Sequence, residues 1–388
     1  MNGPGLVSHD ALLQESCAVR QAIARFRSYD AWQRHPEAPD LTQRVARLLD
    51  TVRRWEPPHA PPTASLQLVH WNILHGLAYD GVLRALTQDE RMAGADLVSL
   101  NEVDLGLARS GNRDVAFDLA AALSLHVAWT PLFLELDGGH LTPPTVKRME
   151  QRESLFGLAL LSRHPLGEAR RLELETPRRH LFDRERKVGT FVALVVEVLA
   201  PTPFTLAVTH LDVHGTPRTR RRQLCTVLRS LRGNAVVCGD FNTTTFPRGG
   251  WPRTAWTLST LALAPRAALD RRLQNPDLPA PRPREPLFTE LAQHGFEHGP
   301  FNDGGASLDL RLRDTHEYQA LPGFVRSVAR GLFRHVEART RHRLDWIAAR
   351  GLEADPARPP YTRSQWMRAP DAPSDHAPIG VGLRPRVG

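Results

Sequence analysis

The chain has 388 residues, 41% of them apolar and 24% charged, with a formal net charge of +8 and a pI of about 10.2. That length buries a large core in one or two domains, and the composition is ordinary for a globular protein. No stretch reaches the roughly 18 apolar residues of a membrane span, and Met1 to Asp10 lack the regions of a signal peptide, so the cytoplasm is the expected compartment. Cys17, Cys225 and Cys238 cannot all pair, and their spacing fits no zinc site. Lys147 and Lys187 are the two lysines, so nearly all the positive charge is Arg. Such charge points to a polyanion partner such as nucleic acid or, as the lesser alternative, an anionic membrane surface. Arg beside abundant Pro and Ala is also what a GC-rich genome produces.

Residues 1–62 read as a helical extension ending in a Pro-rich linker. Leu12, Leu13, Val19, Ile23 and Phe26 fall at helical spacing, as do Val45, Leu48, Leu49 and Val52, and Pro57 to Pro62 breaks the pattern. Residues 65–385 form the main domain. Predicted strands run over 66–74, 96–100, 156–162, 190–199, 204–210, 235–238, 344–348 and 379–383, with helices over 115–123 and 218–231. Several neighbouring strands lack room for a crossover helix, so the sheets are mixed or antiparallel. The expected fold class is α/β, with stacked sheets and outer helices. Residues 247–286 read as an irregular excursion around a short helix, and 322–343 as a basic insertion.

Short polar clusters stand where those strands end. They are His70-Trp71-Asn72, Asn101-Glu102, Thr209-His210-Leu211-Asp212, Gly239-Asp240-Phe241-Asn242, Leu344-Asp345-Trp346 and Ser374-Asp375-His376-Ala377-Pro378. Loops at one sheet edge build active sites, so this repetition outweighs any single match. Glu102, Asp240 and Asp375 are hard oxygen donors suited to Mg²⁺ or Mn²⁺. Asn72 and Asn242 suit metal-bound water or phosphate oxygens, and the histidines suit proton transfer near neutral pH. No Gly-rich phosphate cradle followed by Lys is present, and no Ser nucleophile elbow.

With its clusters in this order, and with Gly-Asp-Phe-Asn and Ser-Asp-His-Ala-Pro among them, the chain resembles the endonuclease/exonuclease/phosphatase superfamily from about Gln67 to Leu383. This is the fold of DNase I-like nucleases, sphingomyelinases and inositol-phosphate 5-phosphatases. The resemblance implies a four-layer α/β sandwich, two stacked mixed sheets flanked by helices, and a metal-dependent phosphoesterase. It implies Glu102 as the principal metal carboxylate, with Asn72 beside it and Asp375 as a further metal acid. Asp240 and Asn242 match the pair that binds the attacking water or a second metal and the scissile phosphate. His376 matches the catalytic histidine, Asp345 the carboxylate that orients it, and His210 the second histidine, a phosphate ligand or proton donor. Either His376 with Asp345, or Asp240, activates the water.

Two positions depart from the pattern. Phe156-Gly157-Leu158 replaces the Tyr-Gly-Asn or His-Gly-Asn found there in relatives, so both polar side chains are lost; DNase-type enzymes place an acid in this strand to support the second histidine, which Phe156 cannot do, and Asp212 or Glu153 is left to substitute. Asn72-Ile73-Leu74-His75 lacks the acid of abasic-site nucleases, and His75 reads as local structure. Asp104, Asp212 and His214 lie close by and stay open. In the amphipathic run 324–336, Val325, Val328, Leu332 and Val336 share one face and Arg326, Arg330 and Arg334 another. This is either a packed helix with a solvated Arg face or a rim helix touching nucleic acid or lipid. Arg218 to Arg222 either grips phosphates or starts a helix. The leading function is a phosphodiesterase acting on nucleic acid. A lipid or inositol-phosphate phosphoesterase and a catalytically silent binding scaffold are the alternatives, and the oligomeric state is left open.

Overall fold

The computed structural model describes residues 9–57, 66–139, 146, 149–243, 259–276, 285–309, 323–369 and 371–386. Its strands, in chain order, are β1 (Arg53–Trp55), β2 (Leu66–Asn72), β3 (Leu97–Leu105), β4 (His126–Glu135), β5 (Leu155–Ser162), β6 (Leu166–Glu173), β7 (Lys187–Gly189), β8 (Val192–Val198), β9 (Phe204–His210), β10 (Ala235–Asp240), β11 (Leu308–Asp309), β12 (Arg341–His342), β13 (Asp345–Arg350), β14 (Leu352–Ala354), β15 (Tyr361–Thr362) and β16 (Ile379–Pro385). A nine-stranded sheet has the order β1-β4-β5-β3-β2-β16-β14, with β15 on β16 and β7 on β4. A five-stranded sheet has the order β13-β10-β9-β8-β6. Each holds one parallel pair, β2 with β3 and β9 with β10, so both sheets are mixed, as expected.

Apolar faces stack these sheets. Leu68, Leu158 and Leu160 of the larger sheet share one core with Leu194, Val208 and Val237 of the smaller. The same core takes in Leu224, Val227 and Leu228 of the helix Pro217–Ser230, and Leu287 and Leu291 of the helix Leu287–Gln293. A second core lies against the larger sheet. There Val69, Trp71 and Trp129 meet Val82 and Leu119 of the helices Tyr79–Gln88 and Val115–Leu123. The resulting layers are helices, sheet, sheet and helices. Among the described residues, no helix is long and apolar enough to cross a membrane.

The N-terminal segment packs against the larger sheet. Its helices His9–Ala24 and Ala38–Leu49 bury Val19, Ile23, Leu41 and Leu48 in the second core. It also supplies β1, antiparallel to β4 with Arg53 opposite Trp129, a strand that its polar sequence did not announce. From residue 58 the Pro-rich run lies outside the described residues. The basic run forms the expected helix, Gly323–Arg339. Val336 packs with Leu261, Leu269 and Leu273, and Arg330 and Arg334 are exposed. Leu332, expected on the packed face, is 44% exposed. The side chains of Val325 and Val328 lie outside the described residues.

Strand β10 runs between two partners. Ala235, Val236, Val237 and Cys238 are fully buried, the near-continuous apolar run that a strand covered on both faces requires. At Gly239 a Cβ would stand 1.8 Å from the Thr209 carbonyl oxygen of parallel β9, so only glycine lets these strands approach. Gly239→Ala is expected to destabilise the fold by about 3 kcal/mol through overpacking. Urea denaturation checks this, and an unchanged midpoint refutes it.

Candidate active site

Strand register assembles one half of the site. On β9, β10 and β13, His210, Asp240 and Asp345 are direct neighbours. On the larger sheet Asn72 pairs with Asn101, next to Glu102. The β3–β5 pairing shifts register between Leu100 and Val103, and within that bulge Glu102 has φ 56°. Leu74, His75 and Asn242 also take positive φ, at 47°, 63° and 50°. Left-handed non-glycine residues cost energy and gather where a side chain must be aimed.

The two sheets meet through polar side chains. Asn72 Nδ2 donates to Glu102 Oε1 at 3.0 Å and to Asp240 Oδ2 at 3.4 Å. His210 Nε2 lies 3.6 Å from Asp240 Oδ2, and His376 Nε2 lies 3.7 Å from the same oxygen. His376 Nδ1 meets Asp345 Oδ2 at 2.7 Å, and the other Asp345 oxygen faces His70 Nε2 at 3.3 Å. The Ser307 hydroxyl accepts from the Leu344 and Asp345 amides, and Trp71 Nε1 donates to the His376 carbonyl at 2.8 Å. Asn72, Asp345 and His376 are thus held by hydrogen bonds to neighbours, which is what preorganisation requires.

Burial and charge separate the titrations. Burial opposes ionisation of Glu102, but the charges of His75 and His210 and the Asn72 amide outweigh it and hold the carboxyl down at about 2. Burial and the Asp345 charge push Asp240 the other way, to about 7. Burial disfavours the imidazolium of His376, yet Asp345, Asp240 and Asp375 raise its pKa well above the usual value. His210 is driven by burial down to about 4 and is neutral at pH 7. One histidine is thus cationic and the other neutral. Carboxyls pushed apart in this way mark acid–base sites.

Six of the eight expected residues form one contiguous set: Asn72, Glu102, His210, Asp240, Asp345 and His376. Asn242 enters through its backbone, whose N–H donates to Asp240 Oδ1 at 2.8 Å, while its Nδ2 donates to the Leu211 carbonyl. Asp375 is half-buried beside His376 and accepts from Ser374 Oγ at 3.5 Å. The substitution expected of Asp212 or Glu153 is not made. Asp212 Oδ1 accepts from the His214 amide, Glu153 packs under Gly106, and His210 Nδ1 is buried with no hydrogen-bond partner among the described residues.

Behind these residues lies a further group of charges, of which the sequence had raised Asp104 alone. His75, read as local structure, places Nε2 3.3 Å from Glu102 Oε2 and packs on the Phe156 ring. Arg109 clasps Asp104 through two bonds of 2.8 Å, and His75 Nδ1 faces both Arg109 Nη2 at 3.0 Å and Asp104 Oδ1 at 3.4 Å. Glu135 adds its charge to Arg109, and Lys187 lies over the Phe133 ring. The signals were thin: Asp104 stands two residues from Glu102, and Lys187 is a lysine kept in an Arg-rich chain. The run 218–222 starts a helix. Arg220 is fully buried on Glu285, Arg221 pairs with Glu290 and Arg222 with Glu175. Arg218 is left exposed.

The residues suit a divalent ion. The half-buried Glu102 carboxylate and the buried Asp240 carboxylate share one neutral amide donor, leaving negative charge that a hard cation would match. Asp240, Asp345 and His376 also bring one ligand atom each within 4.8 Å. Asp345 is engaged by two histidines, so the Glu102–Asp240 side is the better fit.

The model of the Endonuclease/Exonuclease/phosphatase family matches residues 69–376. A search of curated proteins returned no match. Among solved structures, an endonuclease/exonuclease/phosphatase from Beutenbergia cavernae is 17% identical over 83% of this chain and 72% of that one, with a TM-score of 0.48. The human Nocturnin catalytic domain with bound sulfate is 15% identical over 88% and 99%, with a TM-score of 0.43. An AP endonuclease from Archaeoglobus fulgidus is 14% identical over 83% and 100%, with a TM-score of 0.45.

Asp240 gives stability a pH dependence. A carboxyl raised from about 3.9 unfolded to about 7 folded favours folding fully below the lower value, and that contribution is lost as pH rises through the higher. In metal-free protein, Asp240→Asn should therefore melt above wild type at pH 8, with the gap closing toward pH 5. Thermal melts in EDTA measure this, and a gap independent of pH refutes it.

Proposed function

Because this chain belongs to the endonuclease/exonuclease/phosphatase family, we propose that it is a metal-dependent phosphodiesterase acting on nucleic acid. The observation that carries the reading is convergence on one atom. Asp240 Oδ2 has Asn72 Nδ2 at 3.4 Å, His210 Nε2 at 3.6 Å and His376 Nε2 at 3.7 Å. Three nitrogens around a carboxylate oxygen outline a space for a water and an anionic ester.

In this reading Glu102 and Asn72, bordered by Asp240, would hold Mg²⁺ or Mn²⁺, with Asp375 as a further acid nearby; such an ion would neutralise phosphate charge and stabilise the leaving oxygen. Asp240 Oδ2 takes a proton from the attacking water, a task suited to a carboxyl near 7 at neutral pH. The water oxygen bonds to phosphorus as the ester P–O bond opposite breaks, the leaving oxygen takes a proton from solvent, and Asp240 releases to solvent the one it accepted. His376, kept cationic by Asp345, donates from Nε2 to a non-bridging phosphate oxygen. His210 Nε2 faces the same oxygens as a neutral group, and Asn242 braces the Asp240 loop against Leu211. Exposed Arg218, Arg330 and Arg334 and the net charge of +8 support a polyanionic substrate.

The test is a metal-supplemented panel of plasmid DNA, RNA, bis-p-nitrophenyl phosphate, sphingomyelin and inositol phosphates. Nucleic acid is expected to be cut, and Asp240→Ala and His376→Ala are each expected to lower the rate by about 10²–10⁴-fold. Turnover of sphingomyelin or inositol phosphates alone would establish the lipid or inositol-phosphate reading instead. No hydrolysis of any of them would leave a binding scaffold.

A further inference from the structure

A separate group of donors lies where the helix Arg178–Glu185 meets the loop after β9. Glu185 ends that helix, His180 stands five residues earlier on it, and His214 lies four residues beyond His210. Both histidines turn toward a single oxygen, Glu185 Oε1. His214 Nε2 is 2.9 Å from it and His180 Nε2 is 3.7 Å. The imidazole rings meet edge to face, 5.0 Å between centroids, and the three ligand atoms lie within 4.8 Å of one another.

We propose that His180, Glu185 and His214 form a transition-metal site, with Zn²⁺ the ion it fits best. Zinc–nitrogen and zinc–oxygen bonds of about 2.0–2.1 Å at a tetrahedral angle set ligand atoms about 3.3 Å apart. The two measured nitrogen–oxygen separations bracket that value, so small ring rotations admit the ion. Two imidazoles and one carboxylate are a borderline donor set that suits zinc and disfavours Mg²⁺. Three protein ligands leave a fourth position for water.

Outer contacts hold the donors in place. Lys187 Nζ bonds the other Glu185 oxygen at 2.6 Å, which leaves Oε1 facing the histidines. Burial opposes the charge on Glu185, but Lys187 and His214 keep its carboxyl far below the usual range. Asp212 Oδ1 accepts from the His214 amide at 2.9 Å, and Asp212 N donates to Gln223 Oε1 at 3.0 Å, so the loop is braced from the helix behind it. Arg186, just past the helix, donates to the Ala24 and Phe26 carbonyls. Metal-ligating side chains depend on such oriented neighbours. A bound ion would fasten this helix to the loop that follows His210.

The site is tested on tag-free, EDTA-treated protein with excess Mg²⁺ present. Zn²⁺ is titrated by equilibrium dialysis, and Co²⁺ reports coordination by visible absorption. One equivalent is expected in wild type and in Asp240→Asn, which alters the proposed active site. His180→Ala and His214→Ala should each weaken binding at least about tenfold, remove the Co²⁺ bands and abolish the Zn²⁺-dependent rise in melting temperature. His180 is one-third exposed, so its variant should melt as wild type does without metal. No zinc binding by wild type, or undiminished binding in the His180→Ala/His214→Ala double variant, would overturn the assignment. Loss of binding in Asp240→Asn alone would place the ion in the active site instead.

Discussion

Four polar contacts tie the two sheets together at one end, and the site exists because they do. Asn72 reaches Asp240, His70 reaches Asp345, Asn101 Nδ2 reaches the Thr209 carbonyl, and Cys238 Sγ meets Ser99 Oγ. Elsewhere among the described residues the interface is mainly apolar, with Arg54 of β1 donating to the Gly167 carbonyl of β6 at another edge, and stacked sheets settle about 10 Å apart. Apolar packing alone would tolerate sliding of one sheet over the other. The polar end does not, since each buried donor misplaced would cost about 1–3 kcal/mol. Alignment of the sheets and alignment of the site are therefore one constraint.

That constraint places several titratable groups within a few ångströms of one another, out of water. A buried charge is tolerated when a partner compensates it. Glu102 is compensated by His75, which leans on Arg109 and through it on Asp104 and Glu135. Asp345 is compensated twice, by His70 and His376. Asp240 is the member left both deeply buried and with a like charge beside it, and burial first, the Asp345 charge second, hold its proton to about 7. The molecule concentrates its electrostatic cost on the residue where several donors point.

How much of this was legible follows from where the information lies along the chain. Gly239 to Asn242 and Ser374 to His376 could be read because each is contiguous and ends or begins a β-branched run. The strand Phe204–His210 and the helix Val115–Leu123 appear with the bounds expected of them, because alternation and helical spacing are local. His75 could not be read, because its role depends on a left-handed backbone that nothing in Asn-Ile-Leu-His signals. Strand β1 is held by its neighbour β4 and not by its own Arg-Arg-Trp sequence. The arginines at 220–222 looked available for phosphate, yet their partners are Glu285, Glu290 and Glu175, far away in the chain. Local pattern finds elements and motifs, while partners fixed by topology stay hidden until the chain is folded.

The phenyl ring at 156 has a wider consequence. With no acid in that strand, His210 keeps a bare Nδ1 in a dry setting and stays uncharged, so the histidine pair carries a single positive charge. A phosphodiester presents one negative charge to such a pair and a terminal phosphate presents nearly two. On the proposed reading, the histidine pair would balance the charge of an internal linkage and leave the second charge of an end group to the metal and the loops.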